Sequence, residues 1–307
     1  MKRERIRTYS AIACLLTAIL LPTSCTSETD GVAPDGGGRA IRFNPGTATR
    51  AAVTSAGDMQ AFTVWGGYTT DAESAGIPTN VFDGVEVENA GGGWSYDGTR
   101  YWTSGKTYQF FAAYPAGTGK LTDGAYIIEN FDCSAIGAEA KDLMTASSDM
   151  IDTGNAVPAS VPLTFNHLLT RIRIVGTVEG GNAVINSIGL EKVITVGSYA
   201  SGKWTNSTST KSIVKDTTIN LTAVGQDLVD DMFLLPQATD DINLYVVYTL
   251  DGGEKITKRI PLHTDKVPQW TAANSYKYSL AIRGNNIVFA ADVEPWSHSM
   301  GGIITVE

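Results

Sequence analysis

Short apolar runs separated by turn-forming residues are the main pattern of this chain beyond residue 40. The runs are rich in Val, Ile, Thr, Tyr and Phe, and Gly, Asn, Asp or Pro stands between them. Residues 171–175 and 243–248 alternate between inward and outward positions, as half-buried strands do. No long segment keeps a helical period, so the pattern predicts an all-β protein.

The predicted strands form two groups on either side of a polar, small-residue interval at residues 147–160. Two such groups of strands fit two β-sandwich domains better than one very large sheet. We therefore predict an N-terminal β-sandwich over residues 40–155 and a C-terminal β-sandwich with a terminal arm over residues 156–307. The predicted strands are 41–43, 61–66, 82–88, 94–96, 100–102, 107–114, 126–131, 143–146, 163–165, 171–178, 184–190, 213–221, 233–235, 242–250, 256–261, 276–282, 287–290 and 303–306.

Local signals predict two hairpin turns and two short helical turns. Asp97-Gly98 favours a type I′ turn that joins strand 94–96 to strand 100–102, and the turn around Asp251-Gly252-Gly253 joins 242–250 to the next strand. The helical turns are expected only around residues 135–141 and 166–169.

The N-terminus has the form of an export signal. A basic start precedes an apolar run over residues 11–21, which is too short to span a bilayer as a helix. Small residues at 23 and 24 come directly before Cys25, so we predict a lipoprotein signal over residues 1–24 and attachment of palmitate-type acyl chains to Cys25. Residues 25–39 are a predicted flexible linker, and the alternative is a plain secretory signal with an incidental cysteine.

Charge is distributed unevenly along the chain. Four Lys or Arg against one Glu give the first 24 residues a charge of +3, so the total of −9 leaves −12 for the rest. Long-range repulsion from such an acidic body disfavours nucleic acid and anionic membrane surfaces as partners.

Few residues have the spacing of a catalytic or metal-binding site. Cys133 is the one cysteine left outside the signal and lipid site, so no intramolecular disulfide is expected, and it is predicted to be a small buried residue. The histidines, His167, His263 and His298, lack metal-ligand spacing, and His167 is interpreted as a half-buried structural histidine that bonds to the backbone. Asp149, Asp152 and Asn155 give a weak calcium signal without the spacing of a calcium loop. With no paired carboxylates or catalytic motif in evidence, we expect no enzyme, no cofactor and no metal.

Aromatic residues cluster between positions 94 and 114. On an exposed sheet they could stack on sugar rings, whereas in a sandwich core they would pair across strands. The core interpretation is favoured, and a lipid-anchored carbohydrate-binding surface protein is kept as the alternative function. The cluster comprises Trp94, Tyr96, Tyr101, Trp102, Tyr108, Phe110, Phe111 and Tyr114.

Through several short sequence motifs, in this order behind the lipoprotein signal, the chain resembles the fimbrillin family of type V pilus subunits. The motifs are Ile41-x-Phe43 with Thr49-Arg50-Ala51, Trp94-x-Tyr96 with Tyr101-Trp102, Tyr108 to Pro115, Asp142 to Ala146, Leu163 to Ile172, and Val293-x-Pro295-Trp296. The resemblance implies two transthyretin-like Greek-key β-sandwich domains. It also implies a structural or adhesive fimbrial subunit on the outer membrane surface, which passes into the fimbrium after processing.

The resemblance further implies processing and partners. A trypsin-like cut would fall between Arg50 and Ala51, with Arg39 and Arg42 as nearby alternatives. The cut would free a displaced strand, and a strand from a neighbouring subunit would replace it. Host or bacterial surface ligands are further expected partners. The displaced strand would be Ala40, Ile41, Arg42 and Phe43, and the candidate donor residues are Ile287, Val288 and Phe289 or Ile303, Ile304 and Val306.

Overall fold

The computed structural model describes residues 38–47, 59–69, 76–89, 93–154, 156–230 and 232–296, all of which belong to one compact unit. The first ten strands are β1 (Phe43–Thr47), β2 (Ala61–Thr69), β3 (Phe82–Asn89), β4 (Trp94–Ser95), β5 (Thr107–Tyr114), β6 (Lys120–Thr122), β7 (Ala125–Asp132), β8 (Met144–Ser147), β9 (Ile151–Asp152) and β10 (Val161–His167). A 3₁₀ turn, Gly137–Glu139, lies between β7 and β8.

The later strands complete an all-β architecture, as the sequence pattern predicts. They are β11 (Thr170–Val178), β12 (Ala183–Ile194), β13 (Val196–Ala200), β14 (Lys203–Asn206), β15 (Thr210–Asn220), β16 (Gln226–Asp227), β17 (Met232–Leu234), β18 (Asn243–Leu250), β19 (Lys255–Pro261), β20 (Asn274–Arg283) and β21 (Asn286–Pro295).

The first sheet of the described residues contains eight strands in the order β1-β10-β8-β5-β2-β3-β4, with β9 beside β5. Its N-terminal strand β1 runs parallel to β10, with Phe43 opposite Val161 and Thr47 opposite Phe165. Because parallel neighbours cannot be joined by a tight turn, this pairing connects distant parts of the chain. The start of the described chain is therefore held by residues more than a hundred positions later.

Three further sheets carry the rest of the described strands. Strands β16-β11-β20-β21, with β17 beside β11, make a five-stranded sheet, and β15-β12-β18-β19 make a four-stranded one. The order β14-β13-β7-β6 makes another four-stranded sheet, in which β7 pairs with β13. The stacked sheets give a β-sandwich-like arrangement.

Two clusters of buried side chains fill the space between the sheets. We call the first the aromatic cluster, and it includes Ile41, Phe43, Phe62, Phe82, Phe110 and Phe165. The second, the long cluster, includes Trp65, Tyr126, Leu169, Ile188, Tyr278 and Trp296. Strand β2 supplies Phe62 to one cluster and Trp65 to the other, so the first sheet is buried on both faces at its centre.

The predicted hairpin and helical turns are confirmed only in part. The Asp251 turn is confirmed, since Asp251 and Gly252 have φ values of 47° and 73° and join β18 to β19. The helical turn within 135–141 is confirmed as a 3₁₀ turn, whereas the one at 166–169 is wrong. The reason is that Asn166 and His167 continue β10 by pairing with β8.

The Asp97-Gly98 hairpin is also wrong in its pairing. Gly98 takes the positive φ of 70° that the turn signal implies, but β4 pairs with β3, and Tyr101 forms a bridge with Ala40 instead. The domain boundary at 155/156 stays a prediction. Two pairings connect its two sides: β10, which follows the boundary, belongs to the first sheet, and β7, which precedes it, pairs with β13.

Candidate functional site: the N-terminal segment and its groove

The segment from Arg39 to Thr47, here called the N-terminal segment, lies in a groove between two other parts of the chain. On one side, the amide of Ile41 donates to the carbonyl of Arg100 at 2.8 Å, and the amide of Trp102 donates to the carbonyl of Arg39 at 3.1 Å. On the other side, the amide of Val161 donates to the carbonyl of Arg42 at 2.6 Å. Both edges of the segment are therefore hydrogen-bonded.

Alternate side chains of the N-terminal segment point into the protein. Ile41, Phe43 and Pro45 are buried, whereas Arg42 and Asn44 between them are exposed. This period of two is the signature of a strand with one face on the core. The predicted displaced strand thus begins as an extended segment with a bridge at Ala40 and continues as β1 from Phe43.

Phe43 occupies a pocket built from aromatic rings. Its ring centroid lies 5.2 Å from that of Phe82, 5.4 Å from that of Phe110 and 6.1 Å from that of Tyr96, with edge-to-face geometry at each. Such pairs add about 0.5–1.5 kcal/mol each beyond the burial of apolar area. Phe43 is therefore the side chain that anchors the segment most strongly.

Tyr96 and Arg100 form a polar clasp over the groove. The Tyr96 hydroxyl donates to the carbonyl of Ile41 at 2.7 Å, and burial raises the pKa of that hydroxyl. The Arg100 guanidinium stands over the rings of Phe82 and Tyr96 and donates to the carbonyl of Val81 at 2.8 Å. The sequence predicts a strand at 100–102 but pairs it with 94–96. The contact of Tyr96 and Arg100 with the N-terminal segment was therefore not predicted.

The remaining predicted site residues divide into two groups. Ile287, Val288 and Phe289 lie in β21, at the edge of the five-stranded sheet, where they pair with β20. The sheet that holds the N-terminal segment is a different one. Cys25, Arg50, Ala51, Asn155, His298, Ile303, Ile304 and Val306 lie outside the described residues.

His167 is buried and faces a carboxylate rather than backbone alone. Its Nδ1 lies 2.7 Å from Oδ2 of Asp142, and its ring stacks on Trp296 with centroids 3.9 Å apart. Burial raises the pKa of Asp142, while His167 opposes that rise. Through its ring, His167 also connects β10 to the residue that follows β21. The sequence predicts a half-buried histidine bonded to the backbone, whereas His167 is buried against a carboxylate.

Other candidates for chemistry lie apart from one another. Cys133 is buried and free, and burial raises the pKa of its thiol to about 12. Nδ1 of His263 lies 3.2 Å from Asp240 near the surface, and Asp152 accepts a hydrogen bond from the amide of Gly154. Among the described residues, no three His, Cys, Asp or Glu side chains converge on a point where a metal ion could sit.

The aromatic residues between positions 94 and 114 are not a surface platform. Trp102, Tyr108 and Phe110 are buried, and the other members of the group are half-buried. A sugar platform requires exposed coplanar rings, so this part of the alternative function is not favoured by the structure. Within the described residues, no helix has the length and apolar character needed to cross a membrane.

Comparison with known proteins identifies the family. A family model described as fimbrillin-like matches residues 49–296, which is most of the chain. The chain belongs to the fimbrillin-like family. The comparison with curated proteins gives no match.

Solved structures share the fold of this fimbrillin-like chain. A fimbrial protein from Bacteroides vulgatus aligns with a TM-score of 0.60 and 16% identity, covering 84% of this chain and 100% of that one. A candidate cell adhesion protein from Bacteroides uniformis aligns with a TM-score of 0.58 and 20% identity, covering 85% and 100%. A second candidate cell adhesion protein, from Bacteroides ovatus, gives 0.55 and 15%, covering 85% and 98%.

Proposed function

We propose that this chain is a structural or adhesive subunit of cell-surface fimbriae. In this proposal it is exported as a lipoprotein, acylated at Cys25 and displayed on the outer membrane before it enters the fimbrium. Membership of the fimbrillin-like family supports the fimbrial role. The observation that carries the assembly route is the N-terminal segment, an inserted strand that lies just before Arg50.

Cleavage between Arg50 and Ala51 would leave the N-terminal segment held without a covalent link to the body. Its departure would uncover the pocket of Phe43 and the unpaired edge of β10. Exposed apolar side chains and unpaired backbone groups are costly, and another strand can satisfy both. A strand from a neighbouring subunit would then fill the groove by strand addition.

One of the two candidate donor segments is already paired with another strand. Ile287, Val288 and Phe289 are already paired with Ile282, Ala281 and Leu280 along β20, so their release would break an existing ladder. The alternative residues are Ile303, Ile304 and Val306, in the last part of the chain. This cost counts against the β21 segment as the donor.

The two arginines within the segment are poor cleavage sites in the folded chain. The carbonyls of Arg39 and Arg42 each accept a hydrogen bond from a neighbouring part of the chain. A protease needs an unpaired, extended backbone, and such hydrogen bonds protect the adjacent peptide bonds. We therefore expect the cut after Arg50 to precede any cut inside the groove.

The test is to treat the full chain with an Arg-specific protease, sequence the new N-terminus and follow oligomers on denaturing gels. A new N-terminus at Ala51 with SDS-resistant ladders is the expected result. Arg50→Ala should abolish both without changing the thermal stability, whereas the matched control Arg42→Ala should still be cut at Arg50. An intact Arg50, or a clean cut that yields no oligomer, would contradict the proposal.

A further inference from the structure

A recess on the surface of the described chain has the features of a small binding site. It has a volume of about 450 Å³ and lies between the start of β14, residues 236–238 and residues 269–272. Ligand sites in proteins are typically pockets of roughly 300–1,000 Å³ that combine an apolar wall with a few polar groups. Here Trp204 and Trp270 are among the lining residues, together with the polar Lys203 and Gln269.

The walls of the recess are fixed before any ligand arrives. The indole N–H of Trp204 donates to the carbonyl of Leu168 at 2.9 Å, and its ring packs edge-to-face on Tyr199 at 5.3 Å. The side chain of Gln237 accepts from the amide of Ile194 and donates to the carbonyls of Ile194 and Leu235. A ligand would therefore meet an ordered surface and lose little affinity to side-chain ordering.

Two polar side chains that line the recess have no partner among the described residues. Lys203 and Gln269 are both exposed, and neither side chain makes a hydrogen bond or ion pair with any residue that the structure describes. Lys203 is also the one charged residue among the described residues that line the recess. On a chain with a net charge of −9, this places an isolated cation beside an aromatic ring and an amide.

We propose that this recess binds a sugar that carries a carboxylate. Trp204 is half-buried and lines the recess, and aromatic rings receive the C–H side of a pyranose. The amide of Gln269 can donate to and accept from ring hydroxyls. The ammonium of Lys203 selects the carboxylate, because no lining acid competes for it. The recess gives an adhesive fimbrial subunit an acidic glycan as ligand and does not depend on cleavage after Arg50.

The experiment is an NMR and tryptophan-fluorescence titration of the uncut chain with methyl β-D-glucuronide and with the neutral methyl β-D-glucoside. We expect the glucuronide to bind in the millimolar range and at least about fivefold more tightly than the glucoside. Lys203→Met should remove that preference, while Lys255→Met, an exposed lysine on β19, should keep it. Gln269→Ala should weaken both sugars severalfold.

Trp204→Phe tests the stacking surface with less disturbance of the packing than truncation to alanine. It should weaken both sugars, and an unchanged thermal transition would show that the fold persists. Equal binding of the two probes would overturn the assignment to an acidic sugar. The absence of any response to 50 mM of either probe would overturn the site, whatever the outcome of the cleavage assay.

Discussion

At the scale of single residues, Asp142 and His167 form a buried polar pair that one substitution would disrupt. Both side chains are almost fully buried, and 2.7 Å separates Nδ1 from Oδ2. Burial raises the pKa of Asp142, so the folded chain binds that proton more tightly than the unfolded chain does. This contribution to stability is present at low pH and is lost as the pH rises through the raised pKa.

His167→Gln should therefore destabilise the protein in a pH-dependent way. At pH 7 we expect a loss of about 3–5 kcal/mol, because removing one partner leaves a buried carboxylate uncompensated. At pH 4 the loss should be smaller, since burial raises the pKa of Asp142 and so favours its neutral form at acid pH. Chemical denaturation at both pH values measures the effect.

Two variants serve as controls for the buried pair. Adding Asn at position 142 to the His167→Gln variant should remove most of the pH dependence, because no ionisable group remains at the pair. His263→Gln, which breaks the exposed contact with Asp240, should cost less than about 1 kcal/mol. An equal loss at pH 4 and pH 7 for His167→Gln would contradict the electrostatic explanation.

Gly189, in the middle of β12, lies where a side chain with a Cβ atom would clash with the neighbouring strand. A Cβ on Gly189 would lie 2.0 Å from the carbonyl oxygen of Ile213 and 2.6 Å from Cα of Val214. Gly189→Ala should thus force β12 and β15 apart and cost about 1–3 kcal/mol. Gly93→Ala, where an added Cβ meets no atom within 4 Å, should change the free energy of unfolding by less than about 0.5 kcal/mol.

At the scale of elements, the N-terminal segment is held by one deep anchor and two rows of backbone hydrogen bonds. After cleavage at Arg50, Phe43→Ala should speed its release, because the aromatic pocket loses its occupant and about 3–5 kcal/mol of packing. Oligomers should then form faster in a time course on denaturing gels. Arg42→Ala is the matched control, since that side chain is exposed and should leave the rate unchanged. Slower assembly of Phe43→Ala would show that release does not limit the reaction.

The same element shows what the sequence could and could not predict. The sequence predicts a strand over 41–43, whereas β1 runs from Phe43 to Thr47. Strand β5 has the predicted bounds 107–114. The partner of β1 was not predictable, because a parallel pairing with β10 leaves no signal between Thr47 and Val161. At Asp97-Gly98 only the glycine takes a positive φ, so the predicted type I′ turn does not form, and the partner of Tyr101 is decided by packing of the whole sheet. The Trp204 recess was missed for the same reason, since its walls come from three distant segments.

At the scale of the whole molecule, the two clusters of buried side chains share strands. Strand β2 contributes Val64 to the aromatic cluster and Trp65 to the long cluster, and β5 likewise contributes to both. The ring of Trp65 lies 6.0 Å from that of Tyr126 in β7, which in turn pairs with β13. Loss of either cluster would therefore expose a face of the other.

The shared strands lead us to expect one cooperative unfolding transition from this chain. Phe62→Ala in the aromatic cluster and Ile188→Ala in the long cluster remove side chains that are fully buried. Each should cost about 2–5 kcal/mol and shift the same transition, whether it is followed by calorimetry or by fluorescence. Independent tandem domains would instead give two transitions, each moved by one variant only. That outcome would support the boundary near residue 155 and show that the contacts of Trp65 are too weak to couple the two halves.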